Sequence, residues 1–81
     1  MSQKPGKLSA AFAAVLKEKR TARKMSMETL AETAGLHQTY IGLIERGLRN
    51  PSLDTLQVIA DALEVRASSL IREAEGIGRK C

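Results

Sequence analysis

The chain of 81 residues has little of several things on which proteins build chemistry or rigidity. Its one cysteine, Cys81, is the last residue, so no internal disulfide can form. His37 is the only histidine, and with Cys81 it makes two soft metal ligands where a structural zinc takes four. No metal and no other cofactor is expected. The aromatic residues are Phe12 and Tyr40, without a tryptophan. The core must therefore come from Leu, Ile, Val, Met and Ala, a composition that suits packed helices better than a sheet. No apolar run approaches the roughly 18 residues of a bilayer span. The polar start "MSQKPGK" is unlike the apolar stretch of a signal peptide. A cytoplasmic protein away from the membrane is the default expectation. Strand patterning and internal repeats are missing as well. Catalysis finds no footing: a nucleophile needs a base within reach, and the only histidine lies 44 positions from the only cysteine. Glycine-rich phosphate loops follow strands, and no strand is indicated. The chain reads as a non-enzyme with no small-molecule ligand evident.

What is present is basic charge and helical periodicity. At this length the chain is one small domain with one modest core. Thirteen basic against nine acidic side chains give +4. The excess is uneven: residues 1 to 24 hold seven basic side chains against Glu18 alone, a local +6, whereas residues 25 to 45 are charged only at Glu28, Glu32 and Glu45. Positive charge returns at Arg46, Arg49, Arg79 and Lys80. A polyanion suits this distribution; so does a solvated helix face with basic ends, and charge alone does not choose between them.

The periodicity predicts five helices. Residues 1–8 read as a flexible arm. Ser9 is a plausible N-cap for a first helix that carries Phe12, Val15 and Leu16 inward and runs to about Arg23. Ser26 opens a second, with Glu28 in its first turn and Leu30, Ala31 and Ala34 facing in, ending at Gly35. The third starts near His37 or Gln38, buries Ile41 and Ile44, and stops at Gly47. Ser52 caps a fourth, whose apolar stripe is Leu53, Leu56, Ile59, Ala60 and Leu63. The segment "VRASSLIREAE" forms a short fifth, carrying Leu70, Ile71 and Ala74. Residues 76–81, "GIGRKC", read as a flexible tail, which leaves 9–75 as the domain.

The second and third helices are joined by about three residues, too few for anything but a sharp crossing. Gly35 can take the positive φ of that turn, Ala31 lets the helices approach, and Leu36, Ile41 and Ile44 fill the angle. This spacing looks like a DNA-binding helix-turn-helix. The stretch "SMETLAETAGLHQTYIGLIERGLRNPSLDTLQVIADALEV" is similar to the lambda-repressor-like helix-turn-helix family, also called XRE or Cro-like, over roughly residues 9 to 74. Its most specific part is "YIGLIERGLRNPSLDTL". Within the family, "TYIGLIERGLRNPSL" also resembles the small controller proteins of restriction-modification systems. The resemblance implies a compact all-α five-helix domain and a sequence-specific transcriptional regulator, such as a repressor, of duplex DNA.

In such motifs the third helix enters the major groove and its first residues meet base edges. Gln38, Thr39, Gly42 and Leu43 are its outward positions, because Ile41 and Ile44 face in. The Gln38 amide suits adenine, and the Thr39 methyl can touch thymine. Gly42 spends about 1 kcal/mol of helix propensity and leaves the backbone bare for close approach. His37, where the family often has a serine cap, either contacts a base or phosphate or is an inert surface histidine. Tyr40 either reaches a phosphate or covers the edge of the second helix. Arg46 and Arg49 are the candidate phosphate holders. Met27 stands where the family commonly has a phosphate-binding glutamine, so its backbone N–H would have to serve. Arg20 and Glu45 match positions that the family pairs to set the angle of the third helix.

One recognition helix reads few base pairs, and related domains bind as two-fold dimers on roughly palindromic operators. A homodimer is expected here, with the fifth helix as its interface through Ile71, Ile77, Leu70 and Ala74. The Leu70 side chain could equally close the core. The alternative to a DNA-binding regulator is a helical protein-interaction module such as an antitoxin or accessory subunit. Gln38, Thr39, Arg46 and Arg49 together favour DNA.

Overall fold

Five helices succeed one another in the computed structural model, which describes residues 6–78: α1 (Lys7–Ala22), α2 (Met27–Ala34), α3 (Gln38–Glu45), α4 (Leu53–Ala62) and α5 (Ala67–Gly78). The described residues contain no strand. The first five residues of the expected arm, and residues 79–81 of the expected tail, lie outside the described residues.

Local chemistry starts three of these helices. The hydroxyls of Ser26 and Ser52 accept from the Thr29 and Thr55 N–H groups, each at 3.0 Å, and Glu28 and Asp54 place a carboxylate in the first turn where the helix dipole favours one. At α3 the cap is His37, whose Nδ1 accepts from the Thr39 N–H at 3.2 Å. The imidazole thus performs a task that neither expected reading assigned to it.

Four helices end in one way. In each, a residue one or two positions past the helix has a left-handed backbone, its N–H bonds three residues back, and the next N–H bonds five residues back. This is the Schellman arrangement, which satisfies carbonyls that the helix leaves open. The left-handed residues are Lys24 (φ 58°), Gly35 (φ 73°), Gly47 (φ 71°) and Glu64 (φ 58°). The five-back bonds are Met25 N–H to Arg20 O at 3.1 Å, Leu36 to Ala31 at 2.8 Å, Leu48 to Leu43 at 2.9 Å and Val65 to Ala60 at 3.0 Å.

The core is aliphatic. Leu16, Leu30, Ile41, Ile44, Ile59, Leu63 and Leu70 are wholly buried, with Phe12 the one aromatic ring in the core cluster of buried residues. α5 lies along α1, α2 packs on α3 and α4, and α3 also meets α1.

Several expectations need correction. Ser9 is not an N-cap: α1 starts at Lys7 after Gly6, whose carbonyl already accepts the Ala10 N–H, and the Ser9 hydroxyl instead donates to Asn50 Oδ1 in the loop before α4. α5 does not stop before Gly76 but continues to Gly78, since one exposed helical glycine costs only about 1 kcal/mol. Leu53 is not part of the buried stripe. It opens α4 one turn ahead of Leu56 and stands 84% exposed. Leu70 and Ala74 are fully buried in the core, so neither can touch a second copy.

Candidate nucleic-acid interface

The geometry of the site begins with what holds α3. Arg20, in the last turn of α1, forms a fork with Glu45, the last residue of α3: Nε donates to Oε2 at 2.6 Å and Nη2 to Oε1 at 3.0 Å. Its remaining arm, Nη1, donates to the Met25 carbonyl at 2.7 Å, in the turn between α1 and α2. One buried guanidinium therefore joins the end of α3 to the turn that launches α2. Hydrogen bonding to Glu45 holds the Arg20 pKa above its ordinary value, against the smaller opposing effect of burial. The pair that the family resemblance implied is present in bidentate form, which fixes direction as well as distance.

At the other end of the motif, the left-handed turn at Gly35 and the His37 cap set where α3 starts. Gln38, Gly42 and Arg46 then fall four residues apart along one row. With Thr39 and Met27 they line a single open depression of about 330 Å³. Met27, the first residue of α2, packs on the core and brings its thioether beneath Gly42. Arg46 folds back over the last turn, Nε donating to the Gly42 carbonyl at 3.3 Å.

Most of the expected base-facing residues are thus brought together. Leu43 and His37 are the exceptions: Leu43 is half-buried, His37 caps α3, and neither lines the depression. Tyr40 packs against the core, and the Arg49 guanidinium lies 5.5 Å from its ring centroid, a cation–π distance. The tyrosine therefore both covers the core and positions a basic side chain just beyond α3. None of the three described ion pairs involves Arg46 or Arg49, and both residues are exposed. Among the described residues no group of His, Cys, Asp or Glu could hold a metal ion, and no helix is long and apolar enough to cross a membrane.

A second depression, of about 190 Å³ and mostly apolar, lies between α1, the α3–α4 loop, α4 and α5. Leu8, Phe12, Pro51, Leu53, Leu56 and Ile71 line it, together with Ser9. Of the residues expected at a dimer interface, Ile71 lies here, half-buried, and Ile77 is 46% exposed near the end of α5. Sequence reasoning missed Leu8 and Leu53; Leu8 precedes the expected start of the first helix and Leu53 fits the stripe of α4.

Known proteins resemble this chain in sequence and in fold. The control protein C.SmaI of Serratia marcescens is 46% identical over 52 residues, covering 64% of this chain and 62% of the relative. The immunity repressor protein of Bacillus phage phi105 is 41% identical over 58 residues, covering 72% of this chain and 40% of the relative. Of these two curated relatives, then, the chain spans less than two thirds of the length. The crystal structure of the restriction-modification controller protein C.AhdI from Aeromonas hydrophila matches with a TM-score of 0.75 at 42% identity, covering 76% of this chain and 94% of that one. The profile of the Helix-turn-helix family matches residues 16–70. That span takes in the Arg20–Glu45 fork, the left-handed turn at Gly35 and the whole of α3, and the chain belongs to the helix-turn-helix family.

Proposed function

We propose that this chain binds duplex DNA sequence-specifically as a homodimeric transcriptional regulator, with α3 in the major groove. The observation that carries the reading is the row of Gln38, Gly42 and Arg46, with Thr39 beside it, on one open face of a helix whose angle is locked by a buried ion pair. Gln38 and Thr39 stand in the first turn, where helix-turn-helix proteins read bases. Arg46 and Arg49 hold phosphates, and the Tyr40 ring keeps Arg49 in place for that contact. Met27 contributes packing and its backbone N–H, and His37 acts first as the cap of α3. The relatives named above are a repressor and control proteins, which supports regulation over catalysis.

The dimer forms through the apolar depression at Leu8, Pro51, Leu53 and Ile71, where a leucine 84% exposed is costly to leave in water. Two copies related by a two-fold axis would present two α3 helices about 34 Å apart, one turn of DNA. Selection of bound sites from random duplex DNA tests the reading. The expected result is an enriched, roughly palindromic sequence with half-sites one helical turn apart. Recovery of DNA no different from the starting pool would overturn it. A partner protein captured on the Leu53 surface by a chain that selects no DNA would favour the interaction-module alternative.

A further inference from the structure

Gly42 is unexplained by the fold. Glycine in a helix interior is a costlier choice than alanine. No positive φ requires it here, because the described glycines with left-handed backbones are Gly35 and Gly47. Nor does crowding: a Cβ built on Gly42 meets only the Met27 Sδ, at 3.8 Å, an ordinary van der Waals contact. The space above Gly42 is therefore kept free for something outside the chain.

The chemistry of that space narrows what enters it. Its floor is the Met27 thioether, an apolar and polarisable surface. The Gly42 carbonyl already accepts twice, from the Arg46 N–H at 3.1 Å and from Arg46 Nε at 3.3 Å, so it has no lone pair left for a base amino group. Polar groups stand only at the walls, on Gln38, Thr39 and Arg46. A notch with an apolar floor between hydrogen-bonding walls suits an apolar group carried on a polar edge. The major groove offers one such group, the methyl at C5 of a pyrimidine.

We propose that the notch formed by Gly42 and Met27 receives a pyrimidine C5 methyl group, that of thymine or of 5-methylcytosine, while Gln38 and Arg46 engage the flanking base edges or phosphates. This deepens the base-reading function proposed above and rests on it. Gly42 and Met27 then determine specificity without making a hydrogen bond, and an alanine at 42 would fill the notch.

The test uses the full chain and the operator obtained by selection, with binding followed by fluorescence anisotropy at one salt concentration. Each thymine in turn is replaced by deoxyuridine, and each cytosine by 5-methylcytosine, exchanges that alter only the methyl. If thymine is the source, one deoxyuridine per half-site weakens binding about fifteenfold, since burying one methyl is worth about fourfold and the dimer loses two. If 5-methylcytosine is the source, one methylation per half-site tightens binding by a similar factor. In Gly42→Ala either effect falls below about twofold, while the thermal midpoint is unchanged or higher. Met27→Ala, which removes the floor, reduces the same factor and serves as the second variant. Methyl substitutions that are silent at every position overturn the proposal, as does a methyl effect of equal size in wild type and both variants. The base-reading function fails differently. A chain that selects no sequence loses both readings, whereas a selected operator on which Gln38→Ala relaxes one position and every methyl exchange is silent loses the notch alone.

Discussion

The Arg20–Glu45 fork should behave as a coupled pair whose removal is felt far beyond its two residues. A chain of 81 residues has about 4–12 kcal/mol of stability at roughly 0.05–0.15 kcal/mol per residue. The Arg20 side chain is 10% exposed and that of Glu45 only 2%. Arg20→Met leaves the Glu45 carboxylate buried without its partner, which costs about 3–5 kcal/mol, enough to unfold a chain at the low end of that range. Glu45→Leu should cost about 3 kcal/mol, the low end of the penalty for a broken buried pair, because the guanidinium keeps its bond to the Met25 carbonyl. The double variant removes both charges and leaves only that carbonyl without a partner, a loss of about 1–2 kcal/mol. It should therefore be more stable than either single variant, with a coupling of several kcal/mol. Urea melts followed by circular dichroism give the four values of the cycle. The coupling should also survive a change from about 0.1 M to 1 M NaCl, over which the Debye length falls from ~10 Å to ~3 Å, because the pair is shielded from ions. The exposed pair Arg23–Glu64, whose side chains are 42% and 74% accessible, is the internal control and should couple by less than about 1 kcal/mol. Additive losses at Arg20 and Glu45, or a coupling that vanishes in salt, would refute the account of how α3 is held.

Gln38→Ala should weaken specific binding by about 1–3 kcal/mol and relax preference at one base pair; unchanged discrimination in a competition assay would remove Gln38 from base reading. Arg49→Ala should weaken specific and non-specific binding alike and lower the salt slope by about one unit. Tyr40→Ala, but not Tyr40→Phe, should reproduce part of that loss, and equal behaviour of the two would deny the ring its positioning role. Sedimentation at micromolar concentration should give twice the 8.8 kDa chain mass, with Leu53→Glu and Ile71→Glu shifted toward monomer; a wild-type chain monomeric both free and on DNA would exclude the dimer. Lys24→Gly should stabilise by about 0.5 kcal/mol, the left-handed penalty of about 1–2 kcal/mol less the chain entropy of glycine, about 0.5–1 kcal/mol. A lowered urea midpoint would show that the lysine side chain outweighs its backbone.

Most of what could be read from the chain alone rests on residues whose role is local. Ser26 and Ser52 cap because a hydroxyl at that position reaches an N–H three residues on, and Gly35 and Gly47 end helices because they lack a Cβ. Such signals need no knowledge of the rest of the fold. Lys24 and Glu64 adopt the same left-handed backbone with no local sign of it, since neither residue type favours that region. Their turns are imposed by the packing of the helices on either side, and Arg23 reaches Glu64 across 41 positions of sequence at 2.8 Å to join two of them. Leu53 misled for a related reason. Its spacing matches the buried stripe, but periodicity says which face a residue is on and not whether a neighbouring helix extends far enough to cover it.

The interface residues divide along the same line. Gln38, Thr39 and Gly42 could be identified as outward because Ile41 and Ile44 so plainly face in, which is a local inference from period alone. Two further features depend on contacts between segments: Met27 of α2 beneath Gly42, and Arg49 of the α3–α4 loop over Tyr40. Both place an apolar or aromatic surface where the spacing of residues along the chain shows only a bare position or a charge. They also bear on how recognition would be divided. Side chains that donate and accept can be recognised singly, by type and position, whereas the Gly42 notch exists only once α2 and α3 have packed. Variants that loosen that packing without touching DNA should therefore lose discrimination at the methyl-bearing base pair before they lose it at the position read by Gln38. Glu45→Leu is such a variant wherever it remains folded. Its deoxyuridine effect should shrink while its preference at the Gln38 position stays that of wild type, and equal loss at both positions would show that the two are held as one rigid unit.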